Sequence, residues 1–180
     1  LAKGRHVLNC FSFSGGFSLH AARGGAASVA DLDISRHALD SAEANFALNR
    51  DIAAIEACDH RTIQANAFDW LNGEDESRFD LIVLDPPSLA KKKADHDQAL
   101  KGYRILTAAA VRRLRRNGIL VSASCSAHVR KEEFFELVRS TALESGRRFR
   151  EIDRSTHTPD HPATFAEAEY LKCIFLQFDY

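Results

Sequence analysis

The stretch Phe79-Asp80-Leu81-Ile82-Val83-Leu84-Asp85-Pro86-Pro87-Ser88 decides how the rest of the chain is read. Phe79 to Leu84 is an apolar run that stops at Asp85, and a run apolar on both of its alternating faces marks a strand inside a parallel sheet. The two prolines fix φ and end the strand sharply, so the Asp85 carboxylate and the neighbouring carbonyls are held rigidly at the sheet edge. That is a preorganised polar site rather than a surface turn.

Working outward, strands and helices alternate. His6–Phe11 is a short apolar strand, Ser12–Gly16 a turn, and Phe17–Arg23 a helix ended by Gly24 and Gly25. Ser28–Asp33 is a second strand. Ser35 then caps a helix whose Leu39, Ala42 and Phe46 recur at helical spacing. Thr62–Ala65 is a third strand. Beyond the Asp85 loop, Tyr103, Leu106, Ala110 and Leu114 mark a long helix, with Gly118 past its end. Ile119–Ser124 is the fifth strand. Phe134, Phe135, Val138 and Ala142 mark a helix closed by Gly146, and Arg148–Asp153 and Tyr170–Phe178 are the last strands. Such alternation predicts an α/β fold, a Rossmann-like doubly wound sheet. Ligands of such sheets bind beyond the carboxyl ends of the strands, near the reversal of strand order. The chemistry is therefore expected at Phe11–Gly16, Asp33, Asn66, Asp85–Ser88 and Ser124–Ser126.

Composition sets the outer limits. The chain has 180 residues, 45% hydrophobic and 27% charged, which fits one globular domain spanning 1–180 and excludes disordered and fibrous classes. Lys plus Arg is 24 against 25 Asp plus Glu, a net charge of −1. Nucleic acid is thus not held by bulk charge, although a local basic face is compatible. No apolar run approaches the ~20 residues of a membrane span, and no signal peptide opens the chain. Cys10, Cys58, Cys125 and Cys173 are scattered without a C-x-x-C pair, so neither a disulfide framework nor a structural zinc is expected, and a cytoplasmic location fits. The chain opens at Leu1 and contains no Met, which reads as a domain excised from a longer protein.

Each motif carries two readings. Phe11-Ser12-Phe13-Ser14-Gly15-Gly16 brings adjacent glycines to the first strand end, where backbone can approach a ligand closely. The phosphate-cradling patterns G-x-G-x-x-G and G-x-x-x-x-G-K are missing, so the loop suits a nucleoside-type ligand, or else is a tight turn. Asp33, with Ile34 beside it, ends the second strand seventeen residues after Gly16. Its carboxylate can accept both ribose hydroxyls of an adenosine cofactor, or cap the helix that follows. Asp31 points the same way but deeper in the sheet. Asn66-Ala67-Phe68 offers an amide for an adenine edge and a ring to pack near it, or a turn Asn and a core Phe. Cys125, between Ser124 and Ser126, is a nucleophile beside Asp85 or an inert thiol. Lys91–Lys93 follow the Asp85 loop and can meet phosphates. The arginines around 112–116 and 147–154 read more readily as a solvated face. His157 and His161 have metal-pair spacing, but nothing completes a site.

Taken in order, these stations resemble the class I S-adenosylmethionine-dependent methyltransferases. VLNCFSFSGGF, LDIS, FDLIVLDPPS, KGY, SCS and DHP followed by EYLK are similar to the catalytic domain of bacterial 23S ribosomal RNA cytosine-5 methyltransferases of the RlmI type. The resemblance runs from about residue 5 to the end. It implies a seven-stranded, mostly parallel sheet with an antiparallel last strand, S-adenosyl-L-methionine as cofactor, and 23S rRNA as substrate, with no metal and no membrane. It also implies an upstream RNA-binding domain of the PUA type and a linking domain, neither within these residues. The oligomeric state is left open, a dimer included. Carried over, Phe11–Gly16 hold the methionine part of the cofactor, and Asp33 with Ile34 the ribose. Asn66, Ala67 and Phe68 border the adenine, Asp85 and Pro86 line the transfer site, and Cys125 is the nucleophile. Members often have Asp where Asn66 stands, and P-E-G where this chain has Ala166–Glu169.

The chemistry so implied is physical. C5 of cytosine is a poor nucleophile; thiolate addition at C6 makes it enamine-like, and Asp85 at N3 favours the charge shift. Ser88, where exocyclic-amine methyltransferases commonly carry an aromatic, argues against that class. Pro87, where the double-cysteine type carries Cys, leaves Cys125 to work alone. The rivals are a ribosomal RNA guanine-nitrogen methyltransferase, a non-catalytic nucleoside- or RNA-binding module, and an NAD-dependent oxidoreductase, the last disfavoured by the missing glycine pattern.

Overall fold

The structure is a computed structural model that describes residues 1–157 and 170–179. Its strands are β1 (His6–Cys10), β2 (Ser28–Asp33), β3 (Asp59–Gln64), β4 (Phe79–Leu84), β5 (Leu114–Ser124), β6 (Phe149–Ser155) and β7 (Lys172–Phe178). They form one seven-stranded sheet in the order β3-β2-β1-β4-β5-β7-β6. Pairing is parallel from β3 to β5, and β7 lies antiparallel to both β5 and β6. The mixed sheet expected from the sequence is the one found.

The helices are α1 (Gly16–Arg23), α2 (Arg36–Leu48), α3 (Ala53–Glu56), α4 (Ala67–Asn72), α5 (His96–Arg113) and α6 (Lys131–Glu144). They cover the two faces of the sheet, and β4 shows why both are apolar. Ile82 and Leu84 join the core that contains Tyr103, Leu106 and Phe134 of α5 and α6. Leu81 and Val83 join the core that contains Ala22, Phe46 and Ile55 of α1 to α3. Each such side chain contributes about 1.5–3 kcal/mol of hydrophobic burial.

Strand order reverses between β1 and β4, which pair in register with Cys10 opposite Leu84. The loops that follow these two strands are therefore neighbours, at the position where doubly wound sheets bind ligands.

Several boundaries differ from the sequence reading. Phe11 lies outside β1, with φ 60°. β3 starts at Asp59 rather than Thr62; it is a polar edge strand, DHRTIQ, with little apolar pattern to announce it. α3 and α4 are too short to show a period. The long helix stops at Arg113, and Leu114 already belongs to β5. The chain then passes through Asn117 at φ 58°, and Gly118 is required because a Cβ there would lie 2.8 Å from the Arg115 carbonyl. β6 runs on to Ser155, and Tyr170 and Leu171 precede β7.

Two arginines of the expected solvated clusters are instead parts of the fold. Arg113 is 3% exposed. Its guanidinium donates to the carbonyls of Trp70 (2.9 Å), Leu71 (3.1 Å) and Gly73 (3.1 Å), closing the C-terminus of α4, and it stacks over Trp70. Arg147 donates likewise to the carbonyls of Val111, Leu114 and Arg115 at the end of α5. Terminal carbonyls of a helix lack intrahelical partners, and a planar fork of donors satisfies several at once. Arg113→Ala is expected to cost about 3 kcal/mol in denaturant unfolding, and Arg113→Lys to recover only part of it. Unfolding of the alanine variant within about 0.5 kcal/mol of wild type would show that these bonds carry no stability.

Candidate functional site

The first cluster is the loop between β1 and α1. The amides of Phe11 and Ser12 both donate to the Leu32 carbonyl, at 2.8 and 3.2 Å, folding the loop onto the end of β2. Phe11, Phe13 and Gly15 all have positive φ (60°, 48° and 74°), a conformation bulky residues rarely adopt. Such strain persists where surrounding structure over-determines it, characteristically at ligand sites. A Cβ on Gly15 would lie 2.9 Å from the Ala42 Cβ and 3.0 Å from Asp31 Oδ2, so α2 and β2 admit only glycine. A Cβ on Gly16 would meet nothing within 4 Å. Of the two glycines, the first is needed for packing and the second borders open space.

Beneath the loop lies a buried polar cluster. Asp31 is fully buried and takes hydrogen bonds from Ser18 Oγ (2.5 Å) and Asn9 Nδ2 (3.1 Å), while His60 Nε2 lies 2.8 Å from its other oxygen. Asp31 is thus committed inside the sheet. Asp33 sits at the half-exposed end of β2, its carboxylate accepting from the amides of Phe13 (3.0 Å) and Ser35 (2.9 Å). Beside it Ile34 and Phe13 are exposed, 67% and 72%, two apolar side chains left uncovered by the described residues. The buried Ser12 hydroxyl has no hydrogen-bond partner among the described residues. Asn66 caps α4, its side chain accepting from the Phe68 amide at 2.9 Å, and Phe68 meets Phe11 edge to face at 6.2 Å. Ala67 is buried beneath them.

The second cluster joins β4, β5, α5 and β7. Pro86 is buried and Asp85 half-buried. The Cys125 thiol lies 3.8 Å from the Pro86 carbonyl. Burial pushes the Asp85 carboxyl above the ordinary carboxylate range. The Cys125 thiol is pushed up first by burial and then by the Asp85 charge, against smaller opposing effects of its own amide and of Lys172. Tyr103 Oη donates to Ser124 Oγ (2.8 Å) and lies 3.2 Å from Ser126 Oγ, which in turn is 3.0 Å from Ser88 Oγ. The Ala90 amide also donates to Ser126. This hydroxyl network fixes the loop after β4 to the loop after β5. Ser88, which the sequence placed in the expected Asp85–Ser88 station, is one of its members. Lys91–Lys93 are exposed just beyond.

The structure brings Phe11–Gly16, Asp33 and Ile34 together at one loop, and Asp85, Pro86 and Cys125 at the adjacent strand ends. Tyr103, Lys172 and the Asn9–Ser18–Asp31 cluster were not read as functional. Tyr103 and Lys172 stood in the KGY and YLK motifs without a role, because nothing in spacing shows which buried group a helix or a returning strand delivers. DHP, His161 and Ala166–Glu169 lie outside the described residues. His157 accepts from the Leu171 amide at 3.0 Å. Among the described residues no group of three His, Cys, Asp or Glu is placed to hold a metal, and no helix is long and apolar enough to cross a membrane.

A cavity of about 590 Å³ also opens beside Asp85, walled by Leu81, Val83, Val121 and Phe175. Apolar walls offer little to a ribose or a carboxylate, so a nucleoside cofactor fits the loop edge better than this trough.

Comparison with known proteins shows the family. Residues 1–176 match the family model of S-adenosylmethionine-dependent methyltransferases. A ribosomal RNA large subunit methyltransferase of Deinococcus radiodurans is 56% identical over 99% of this chain and 43% of its own length. A ribosomal RNA large subunit methyltransferase I of Tolumonas auensis is 38% identical over 98% of this chain and 44% of its own. The chain thus spans less than half the length of these relatives. Among solved structures, a SAM-dependent methyltransferase from Streptococcus mutans superposes with a TM-score of 0.82 at 22% identity, over 98% of this chain and 45% of that one. A methyltransferase complexed with S-adenosylhomocysteine does so equally well at 23% identity, over 98% and 46%. Both likenesses show the fold. A match over nearly its whole length, on a doubly wound sheet with a glycine loop at the switch point, places the chain in the S-adenosylmethionine-dependent methyltransferase family.

Proposed function

We propose that the protein methylates C5 of a cytosine in large-subunit ribosomal RNA, with Cys125 as nucleophile. The carrying observation is the meeting of a thiol and a carboxyl at adjacent strand ends, Cys125 against the Asp85-Pro86 corner. The names of the relatives support the RNA substrate.

The cofactor residues follow the loop geometry. The orphaned Ser12 hydroxyl and the open space over Gly16 suit the methionine part of S-adenosylmethionine, and Phe11, Phe13, Ser14 and Gly15 shape that edge. Asp33 accepts the ribose hydroxyls while its backbone bonds hold it in place. Ile34 and Phe68 flank the adenine. Asn66 uses one lone pair in its cap and keeps a second for the adenine amine. When bound, the cofactor supplies an electrophilic methyl on sulfur.

The chain's own residues prepare the base. Cys125 adds as thiolate to C6, so the electron pair moves toward C5 and N3. Asp85, protonated more readily because it is buried, donates to N3 and stabilises that shift. After C5 is alkylated, solvent water or a base carried by it takes the C5 proton; that electron pair re-forms the C5–C6 double bond, and the C6–S pair leaves as the Cys125 thiolate. The target base must be presented out of its stack. Lys91–Lys93 contact phosphates nearby. We assign most RNA affinity to an upstream PUA-type domain in the longer protein, which works in the cytoplasm.

Three outcomes test this. In calorimetry, Asp33→Ala is expected to weaken S-adenosylhomocysteine binding by roughly 10–100-fold, the worth of one or two charged hydrogen bonds. Unchanged affinity removes Asp33 from the site. With ribosomal RNA and the full-length protein, Cys125→Ala is expected to abolish product; retained transfer favours the guanine-nitrogen reading. Asp85→Asn, which removes the opposing negative charge, should move the Cys125 alkylation midpoint downward. An upward movement contradicts the assigned pairing.

A further inference from the structure

Lys172 is 2% exposed, and buried lysines almost always sit against a carboxylate. Here none of the described carboxylates does so. Its three N–H groups donate to the carbonyls of Ser126 (2.5 Å), Val129 (2.6 Å) and Tyr170 (3.2 Å). Neutral acceptors satisfy the donors but do not offset the cost of burying the charge, which a neutral donor would avoid. That cost pushes the ammonium down to about 8. Among the described residues the ionisable group whose charge acts on it is the Cys125 thiol, the residue before Ser126, each favouring the other's charged form.

We propose that Lys172 is the positioning residue of the transfer site: its ammonium ties the Ser126–Val129 loop to β7 and sets a buried positive charge against the Cys125 thiolate. The register explains how it arrives. β7 runs back along β5 with Lys172 opposite Ser124, so the last strand delivers the charge next to the residue that follows the strand end. The other groups facing Cys125 do not do this. Asp85, from β4, disfavours the thiolate. Tyr103, from α5, is pushed above its ordinary value by burial and stays a neutral hydroxyl. Cys173, the next residue on β7, is pushed up to about 12 and stays a thiol.

The proposal deepens the nucleophile reading and rests on it, but the test separates the two. Iodoacetamide alkylation of Cys125 would be followed by peptide mass spectrometry against pH in the whole chain, for wild type, Lys172→Gln and Lys172→Arg. S-adenosylhomocysteine binding reports that the fold is intact. Removing the charge in Lys172→Gln is expected to slow Cys125 alkylation roughly 10-fold at neutral pH, where the ammonium is still charged. Lys172→Arg should react at neutral pH like wild type. A glutamine variant that binds the cofactor product and is alkylated at the wild-type rate overturns the proposal. So does a folded arginine variant slowed as far as roughly 10-fold, which decides the matter if the glutamine variant does not fold. Methyl transfer by Cys125→Ala would instead overturn the nucleophile reading and leave the titration result standing.

Discussion

The pairing of β1 with β4, Cys10 opposite Leu84, is the constraint on which the site depends. Two parallel strands far apart in sequence become central neighbours, and the connections leaving their carboxyl ends diverge to opposite sides. The gap between those connections exists because of topology alone. Everything else at this edge takes its place from that pair. β2, beside β1, ends at Asp33, and β5, beside β4, ends next to Cys125. Two clusters of different chemistry thus share one sheet edge, a glycine loop held against a carboxylate and a thiol held against the Asp85-Pro86 corner.

Both clusters lie on loops, and loops lack the repeating hydrogen bonds that keep a strand rigid. Buried side-chain networks take over that role. Asp31, with Ser18, Asn9 and His60, supports the glycine loop from below. Tyr103, with Ser124, Ser126 and Ser88, joins the Asp85 loop to the Cys125 loop. Paired groups in a low-dielectric interior are stiff, and the exception in these networks is Asn9 Oδ1, buried without a hydrogen-bond partner among the described residues. Positive φ at Phe11 and Phe13 is tolerated on this footing, since the Leu32 carbonyl and Asp33 carboxylate hold the amides on either side of the strained turn.

What the sequence disclosed follows from which signals are local. The run from Phe79 to Leu84 is apolar on both faces because both faces are covered, so the strand and its parallel neighbours were legible. Asp85 was legible because two prolines stand after it. β3 was misplaced because an edge strand needs little apolar pattern. Arg113 looked like a surface charge because the carbonyls that claim it, at Trp70 to Gly73, lie some forty positions away. The same distance hid Lys172. A lysine in a strand of alternating apolar residues reads as a solvated position until the fold shows that the strand returns against Cys125.

The two charges that bear on Cys125 have opposite signs, and that opposition has a consequence for the chemistry proposed. With Asp85 ionised, burial and repulsion hold the thiol in its neutral form, unlike the low-pKa cysteines that oxidise readily. A proton on Asp85 shifts the balance toward the thiolate, because the repulsion vanishes and Lys172 remains, while burial still opposes the charge. The same proton is the one that cytosine N3 would meet. On this reading, one proton transfer, from the Cys125 thiol to the Asp85 carboxylate, both readies the base as an electrophile at C6 and forms the thiolate that attacks it. The nucleophile is then reactive chiefly when its partner carboxyl is in the state the substrate requires. A single acidic neighbour would suppress the thiolate and a single basic one would expose it permanently; the pair, on β4 and β7, ties its reactivity to the substrate.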